Sequence, residues 1–269
     1  MTAQQKLKQR VSKGFHICIG LDTDINKIPR HLHSSKNPVV EFNKIIIENT
    51  FDYAAAYKIN FAFYEAEGTK GFDDILETLN YLPNKEVLTI GDAKRGDIGN
   101  TSQMYAKSVF QYFNFDSVTI NPYMGFDSIE PFLQYSDKIN FILALTSNPG
   151  SKDFEKLKLE NGLFLYQHVI KKVIEWNNNK NCGLVFGATN LSELVENIKD
   201  FEDLPILLPG IGSQGGDLEG VVSTFRKAGN NNFIINISRA LIYCDSSFEF
   251  GRKAAGVLKD LNQKIPQII

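Results

Sequence analysis

The residues with the clearest chemical potential lie in the segment DAKRGDIGNT, which runs from Asp92 to Thr101 after a short apolar stretch. Because side chains alternate along a strand, Asp92 and Lys94 project to the same side, while Asp97 falls in the turn that follows. The alternative interpretation is an exposed ion pair, with Asp97 capping the next helix.

A second lysine favours a functional site over an exposed ion pair. Lys58 interrupts the run AAAYKINF, which is otherwise suited to burial, so its amine must reach solvent or meet a carboxylate. If Lys58 meets Asp92 and Asp97 meets Lys94, opposite charges alternate in one pocket that is shielded from water. Such an array keeps Lys94 protonated, which suits a proton donor and not a Schiff-base nucleophile. A structural lysine at the end of a strand is the alternative for Lys58.

A glycine-rich segment, GIGSQG at residues 210–215, provides the second chemical signal. Its letters match the dinucleotide motif GxGxxG, but that motif belongs in a first βαβ unit with a carboxylate at the end of the next strand. Here the next strand offers Asn236 instead, so we reject a dinucleotide site. Glycines let backbone N–H groups approach an anion, and Gln214 and Arg239 can bind it, which indicates a phosphate site. The alternative is a plain turn beside a surface arginine.

Eight short apolar runs predict the strands that would position these residues. The runs cover residues 15–21, 55–63, 86–93, 117–120, 141–146, 182–188, 205–208 and 232–237. Helical periodicity lies between them, most clearly over 39–53, 101–113, 163–176 and 218–228. The ends of the runs are about 31 residues apart, the size of a βα unit. The pattern predicts an α/β protein with a single (β/α)8 TIM barrel domain over residues 1–269.

The two faces of the predicted strands differ in character. Odd-numbered positions from Phe15 to Leu21 are apolar and suit packing against helices, whereas even-numbered positions from His16 to Asp22 are mostly small or polar. In the third run, the side that carries Asp92 and Lys94 is apolar at its start and charged at its end. This gradient is typical of a barrel strand whose carboxyl end carries chemistry.

Composition and charge exclude several classes of protein. The 29 Lys and Arg residues against 31 Asp and Glu give a net charge of -2, so we expect neither a nucleic acid nor an anionic membrane partner. No apolar run approaches the roughly 18 residues of a membrane span, and residues 1–13 lack a signal-peptide core, which favours a cytoplasmic protein. Three widely spaced cysteines, and His31 and His33 without a helical partner, predict no metal site.

Two further polar residues end predicted strands. Asp22 ends the first strand, where it can hold sugar hydroxyls or cap a turn. Ser147 ends the fifth strand, where it can bind a heterocycle amide or stabilise the turn of TSNPG at residues 146–150.

In combination, these residues resemble the orotidine 5'-monophosphate decarboxylase family along nearly the whole chain. Gly20-Leu21-Asp22 resembles the first-strand motif of the family, and Lys58 its second-strand lysine. The segment DAKRGDI resembles its DxKxxDI signature, and residues 210–216 with Ser238 and Arg239 resemble its phosphate loop and arginine. The TSNPG segment and the chain length resemble the longer bacterial subgroup. Ser238 is a departure, because shorter relatives usually have glycine before the arginine.

The resemblance implies decarboxylation of the small molecule orotidine 5'-monophosphate to UMP and CO2, the last step of de novo UMP synthesis, without metal or organic cofactor. It implies that Lys94 donates a proton to C6, that Asp92 lies against the departing carboxylate, and that Lys58 bridges the ribose and the charges. Asp97, Ile98 and Thr101 would reach the partner's site in a homodimer. The remaining implied roles are ribose binding for Asp22, amide binding for Ser147, ring contact for Pro209, and phosphate binding for Gln214, Ser238 and Arg239.

Two other functions stay open at this point. Sugar-phosphate relatives on the same barrel, hexulose-phosphate synthase and keto-gulonate-phosphate decarboxylase, share DxKxxD and resemble magnesium-dependent enzymes. Lys58, Ser147 and Gln214 argue against them. A phosphate-ligand sensor that has lost catalysis is the third possibility.

Overall fold

A computed structural model describes residues 1–82, 86–212 and 215–265. Within these residues, eight parallel strands close into a barrel in the order of the sequence, which confirms the predicted (β/α)8 fold. The strands are β1 Ile17–Gly20, β2 Ala56–Asn60, β3 Leu88–Arg95, β4 Ser117–Ile120, β5 Ile139–Leu145, β6 Cys182–Phe186, β7 Ile206–Leu208 and β8 Phe233–Ile237.

Helices cover the outside of the barrel and close its amino end. The α-helices are α1 Ala3–Val11, α2 Pro38–Thr50, α3 Phe61–Glu65, α4 Thr69–Asn80, α5 Gly99–Lys107, α6 Phe126–Leu133, α7 Leu165–Trp176, α8 Leu191–Asn197, α9 Leu218–Lys227, α10 Arg239–Ile242 and α11 Phe250–Gln263. A π-helical turn, Ser108–Tyr112, extends α5, and short 3-10 turns occupy Arg30–Ser34, Pro149–Asp153, Asn177–Asn179 and Ile198–Phe201. In the part of the chain described, no helix has the length and apolar character that crossing a membrane requires.

Local capping explains where several helices begin. Thr2 and Gln5 form a reciprocal capping box at α1, and Asn37 accepts a bond from the backbone of Val40 at α2, where Pro38 occupies the first turn. Asn60 accepts a bond from the N–H of Ala62. The predicted strand 55–63 is therefore wrong beyond Asn60, because this cap starts α3 there.

The apolar core has an inner and an outer layer. Inside the barrel, Cys18, Ala56, Leu88, Ile90, Phe141, Val185, Leu207 and Ile234 pack together with Ala3, Leu7 and Val11 of α1. Ile17, Ile19 and Leu21 belong to the layer between strands and helices, as the alternation predicts. Phe15 differs, because β1 begins only at Ile17 and Phe15 packs against the inner layer.

The helix α1 is fixed at the base of the barrel by a buried ion pair. Lys6 Nζ lies 2.6 Å from Asp116 Oδ1, and Asp116 Oδ2 accepts bonds from the backbone N–H and hydroxyl of Thr89. With its apolar face on the inner core, α1 closes this end. The polar residues singled out from the sequence accordingly face the opposite, carboxyl end.

Candidate active site

Four charged side chains meet at the carboxyl end of the barrel. Lys58, on β2, places Nζ 2.8 Å from Asp92 Oδ2 and 3.4 Å from Asp22 Oδ1. Lys94 Nζ lies 2.6 Å from Asp92 Oδ1. Negative and positive groups therefore alternate from Asp22 through Lys58 and Asp92 to Lys94. The predicted contact between Lys58 and Asp92 is confirmed.

Burial divides this array into a fixed inner part and an accessible outer part. The side chains of Lys58 and Asp92 are 4% and 10% exposed, whereas that of Lys94 is 50% exposed. Burial alone lowers the pKa of Lys58, but Asp92 and Asp22 outweigh it and raise that pKa above its ordinary value. Burial alone raises the pKa of Asp92, but Lys58 and Lys94 outweigh it and hold that pKa well below its ordinary value.

These opposite pKa shifts fix the pH range in which the inner pair contributes stability. The contribution of Asp92 is present above the ordinary pKa of an aspartate, about 4, and is lost as the pH falls toward the lowered value. The contribution of Lys58 is present below the ordinary pKa of a lysine, about 10, and is lost as the pH rises toward the raised value. Near neutral pH both groups are charged.

At Lys94 the backbone departs from the regular pairing of β3 with β4. The pairing of β3 with β4 shifts register between Gly91 and Arg95, and Lys94 has a φ of 45°, a left-handed conformation that costs an L-residue roughly 1–2 kcal/mol. The N–H of Lys94 donates to Thr119 Oγ1 at 3.0 Å, and this hydroxyl donates to Asp92 Oδ1 at 2.9 Å. Thr119 is a site residue that the sequence pattern did not reveal.

Asp97 departs from two expectations. Among the residues described, no ion pair joins Asp97 to Lys94; the carboxylate accepts a bond from the N–H of its neighbour, Ile98, at 2.8 Å. It also does not cap α5, whose cap position is Ile98. A capping side chain accepts a hydrogen bond from the second or third N–H group of the helix. Asp97 instead accepts from the N–H of Ile98, which precedes the helix. Among the described residues of one protomer, Asp97 thus makes neither the contact with Lys94 nor the helix cap that the alternative interpretation assigned to it.

The charged array lines a cavity of about 290 Å³. Eight of the candidate residues line it, namely Asp22, Lys58, Asp92, Lys94, Ser147, Pro209, Ser238 and Arg239. Ile98 and Thr101 are exposed at the start of α5 and, like Asp97, do not line it. Gln214 lies outside the described residues. The cavity is also lined by Asn60, Thr119 and Asn236, which the sequence pattern did not indicate as site residues.

Ser238 fits the loop that ends β8 because Gly20 leaves room for it. A Cβ at Gly20 would lie 2.0 Å from the Ser238 hydroxyl oxygen. Ser238 itself has a φ of -108°, a negative value outside the left-handed region that favours glycine. The departure from glycine at this position is therefore accommodated without left-handed backbone.

The cavity is also lined by residues that follow β7 and by the start of the short helix α10. Gly210 and Gly212 have φ values of 109° and 88°, which favour glycine, and the N–H of Gly216 donates back to the carbonyl of Gly210 at 3.0 Å. Arg239 is the first residue of α10 and lines the same cavity. Gly210 and the cation of Arg239 thus line the same cavity.

Two tyrosines hold the loop that carries Asp22. Tyr64 donates its hydroxyl hydrogen to the carbonyl of Leu21 at 3.1 Å. Tyr243 donates to the carbonyl of Asp22 at 3.1 Å and accepts from the N–H of Asp24 at 2.8 Å. Since Tyr243 directly follows α10, the loop of Asp22 is tied to the helix that begins with Arg239.

Metal-ligating groups are dispersed. Nowhere in residues 1–82, 86–212 and 215–265 do three or more His, Cys, Asp or Glu side chains form a group that could hold a metal ion.

Comparisons with a family model, with curated proteins and with solved structures all point to the same family. A model of the orotidine 5'-phosphate decarboxylase / HUMPS family matches residues 16–247. The chain is 44% identical to the orotidine 5'-phosphate decarboxylase of Flavobacterium johnsoniae over 274 positions, which cover 100% of this chain and 98% of that protein. The solved structure of Leishmania donovani OMP decarboxylase matches with a TM-score of 0.83 and 35% identity, covering 98% of this chain and 99% of that one.

A longer protein contains a similar barrel. The structure of Leishmania donovani UMP synthase matches all of this chain with a TM-score of 0.86 and 36% identity, and this chain spans 56% of its length. The similarity to that protein is therefore confined to part of it.

The barrel and its charged cavity define a (β/α)8 enzyme, and the chain belongs to the orotidine 5'-phosphate decarboxylase / HUMPS family. Within that family, the full-length similarity to curated decarboxylases makes it a carboxy-lyase of the orotidine-5'-phosphate decarboxylase kind. The resemblance inferred from the sequence is confirmed, while the longer bacterial subgroup stays a prediction.

The left-handed backbone at residue 94 predicts an unusual order of stability. Lys94→Gly and Lys94→Ala both remove the ammonium group, but glycine adopts this φ without strain. We expect Lys94→Gly to have a free energy of unfolding about 1 kcal/mol higher than Lys94→Ala, measured in urea. At Lys171, an exposed position within α7, the order should reverse by a similar amount. Equal stability of the two variants at position 94 would contradict the assigned conformation.

Proposed function

We propose that the chain decarboxylates orotidine 5'-monophosphate to UMP and CO2, the last step of de novo UMP synthesis, with Lys94 donating the proton to C6 and no cofactor taking part. One observation carries this proposal: Asp92 pairs with the buried Lys58 and with the accessible Lys94, so that a cation beside a carboxylate faces the cavity. The cytoplasmic location stays a prediction.

The chemistry requires positive charge beside one carbon atom. When the C6–carboxylate bond breaks, its electron pair stays on C6, where no adjacent carbonyl delocalises it. A fixed cation at that position stabilises the developing charge. The Lys94 ammonium supplies that cation and then transfers one proton to C6, forming the C–H bond of UMP, after which solvent reprotonates the amine. Asp92 lies against the departing carboxylate and holds the ammonium in place.

The rest of the cavity suits the remaining parts of a nucleotide. We assign the ribose to Asp22 and Lys58, the pyrimidine amide to Ser147, and the ring contact to Pro209. The phosphate is assigned to Arg239, the backbone of Ser238 and, from the sequence alone, Gln214. Because the phosphate is remote from the bond that breaks, its binding energy serves to position the ring.

We also propose a homodimer in which Asp97, Ile98 and Thr101 complete the partner's site. Asp97 makes no ion pair with Lys94 of its own chain among the residues described, so its carboxylate is available to another chain. Two apolar side chains are exposed at α5, namely Ile98 at its cap position and Met104 within the helix. Exposed apolar surface of this kind is typical of a protein–protein interface.

The first prediction about the proposed reaction concerns the turnover of Lys94→Ala. We expect a folded protein whose decarboxylation rate, followed by loss of orotate absorbance, is lower by about 10³ or more, because the charge at C6 is lost. Lys227→Ala, at an exposed position of α9, is the matched control and should retain full activity.

The same assay on EDTA-treated protein separates the proposal from its alternatives. Wild-type turnover that persists without metal supports the proposed reaction. Turnover that requires Mg²⁺ would favour a sugar-phosphate enzyme, and binding without turnover would favour a sensor. Near wild-type activity in Lys94→Ala would exclude its role as proton donor.

A second prediction concerns the phosphate. Arg239→Ala should raise KM by about 10- to 100-fold, because a charge-assisted hydrogen bond contributes about 1.5–3 kcal/mol. The control is Arg226→Ala, which removes an exposed guanidinium from α9. An unchanged KM in Arg239→Ala would remove this residue from the phosphate site.

A third prediction tests whether two chains share each site. Lys94→Ala and Asp97→Ala should each be inactive alone. After the two are mixed, unfolded and refolded together, about a quarter of wild-type activity should return, because half of the dimers are mixed and one of their two sites is complete. A mixture of Lys94→Ala with Lys58→Ala is the control, since no combination of those chains has a complete site. No recovery in the first mixture would mean that Asp97 acts within its own chain, and an active Asp97→Ala would mean that it has no role in turnover.

A further inference from the structure

We propose that Thr119 is a positioning residue for Lys94: its hydroxyl group fixes both the backbone and the ammonium of this lysine in the orientation that the reaction needs. The inference rests on the proposed function, because it assumes that Lys94 donates the proton. It concerns a residue on β4 that is not part of the charged array and whose side chain is buried.

The hydroxyl of Thr119 closes a ring of polar contacts. Its oxygen accepts the N–H of Lys94 at 3.0 Å, and its hydrogen is donated to Asp92 Oδ1 at 2.9 Å. The same Oδ1 accepts the Lys94 ammonium at 2.6 Å. Both hydrogen-bonding functions of the hydroxyl are thus used, and each of them acts on a group that determines where the ammonium lies.

The ring occurs where the strand pairing is interrupted. The ladder between β3 and β4 pairs Gly91 with Val118 and resumes with Arg95 opposite Ile120, so β3 uses four steps where β4 uses two. This bulge takes the N–H of Lys94 out of regular pairing, and the Thr119 side chain receives it instead. β-Bulges are over-represented beside active sites, where they re-aim side chains.

The bond to Thr119 also offsets the strain at Lys94. A left-handed φ persists in a lysine only where surrounding contacts determine it. Without the Thr119 hydroxyl, the N–H of Lys94 loses its acceptor, and the backbone is free to relax toward an ordinary φ. Such a relaxation moves the ammonium relative to Asp92 and to C6 of the substrate. A misplacement of about 1 Å is enough to reduce the rate of a chemical step by about 10²-fold.

The test compares Thr119→Val with Thr119→Ser. Valine keeps the branched shape that suits a strand but removes both hydrogen bonds, whereas serine keeps the hydroxyl. We expect Thr119→Val to lower kcat by about 10- to 100-fold with KM within about twofold of wild type, because the assigned ribose and phosphate groups are untouched. Thr119→Ser should recover kcat to within about threefold.

The chain offers a chemically matched control at Thr89. Its hydroxyl accepts the N–H of Asp116 at 2.9 Å and donates to the carboxylate of the same residue at 3.0 Å, but it lies at the amino end of the barrel. Thr89→Val therefore removes the same two kinds of bond away from the cavity. It should leave kcat and KM of the folded enzyme unchanged, even if it lowers the free energy of unfolding.

Each outcome bears on the proposal. A wild-type kcat in Thr119→Val would overturn it, and so would a loss that Thr119→Ser does not restore. If Thr119→Val does not fold, Thr119→Ala, which also lacks the hydroxyl, is measured in the same way. The parallel Lys94→Ala assay separates the two proposals. An active Lys94→Ala overturns the proposed function, whereas an inactive Lys94→Ala beside a fully active Thr119→Val overturns only the positioning role.

Discussion

The site depends on one carboxylate that binds two lysines at once. Asp92 offers Oδ2 to Lys58 and Oδ1 to Lys94. Buried charges persist only where opposite charges and hydrogen bonds offset the hydration they lose. Without Asp92, the one ion-pair partner left to the buried Lys58 among the described residues would be Asp22, at 3.4 Å. The position of the accessible Lys94 therefore depends on the buried ion pair between Asp92 and Lys58.

Strand pairing and hydrogen bonds around this carboxylate fix the backbone from which the charged side chains extend. Lys58 and Asp92 sit on neighbouring strands, paired in register through Asn60 and Asp92. The loop of Asp22 is held by the hydroxyls of Tyr64 and Tyr243. Strands and hydrogen-bonded tyrosines are rigid supports, and rigid support is what electrostatic stabilisation of a transition state requires. The polar groups are thus arranged before any ligand binds.

The sequence predicts the parts of this arrangement that follow from local patterns. Apolar runs with period two and helices between them predict the barrel. A lysine within an apolar run must reach solvent or meet a carboxylate, which points to a pair between Lys58 and Asp92. The boundary at Asn60 was missed, because a strand that passes directly into a capped helix keeps its apolar character. The face of Phe15 was misassigned because alternation was extended beyond the strand.

Other features depend on tertiary structure and have no local signal. The role of Thr119 arises only because a bulge in β3 brings the N–H of Lys94 opposite a side chain of β4. Spacing placed Asp97 close to Lys94, but spacing carries no information about the direction in which a turn leaves the strand. The small residue at Gly20 is explained by Ser238 and Asn236, more than two hundred positions away in the sequence.

Because α1 closes the amino end of the barrel, it limits the routes by which molecules enter and leave the cavity. The inner core between α1 and Asp92 is filled by apolar side chains, so substrate enters and products leave through the same mouth. In the proposed reaction, CO2 forms beside Asp92 and must then diffuse past the nucleotide or wait until the nucleotide departs. Any compound that occupies the mouth obstructs arrival and departure together.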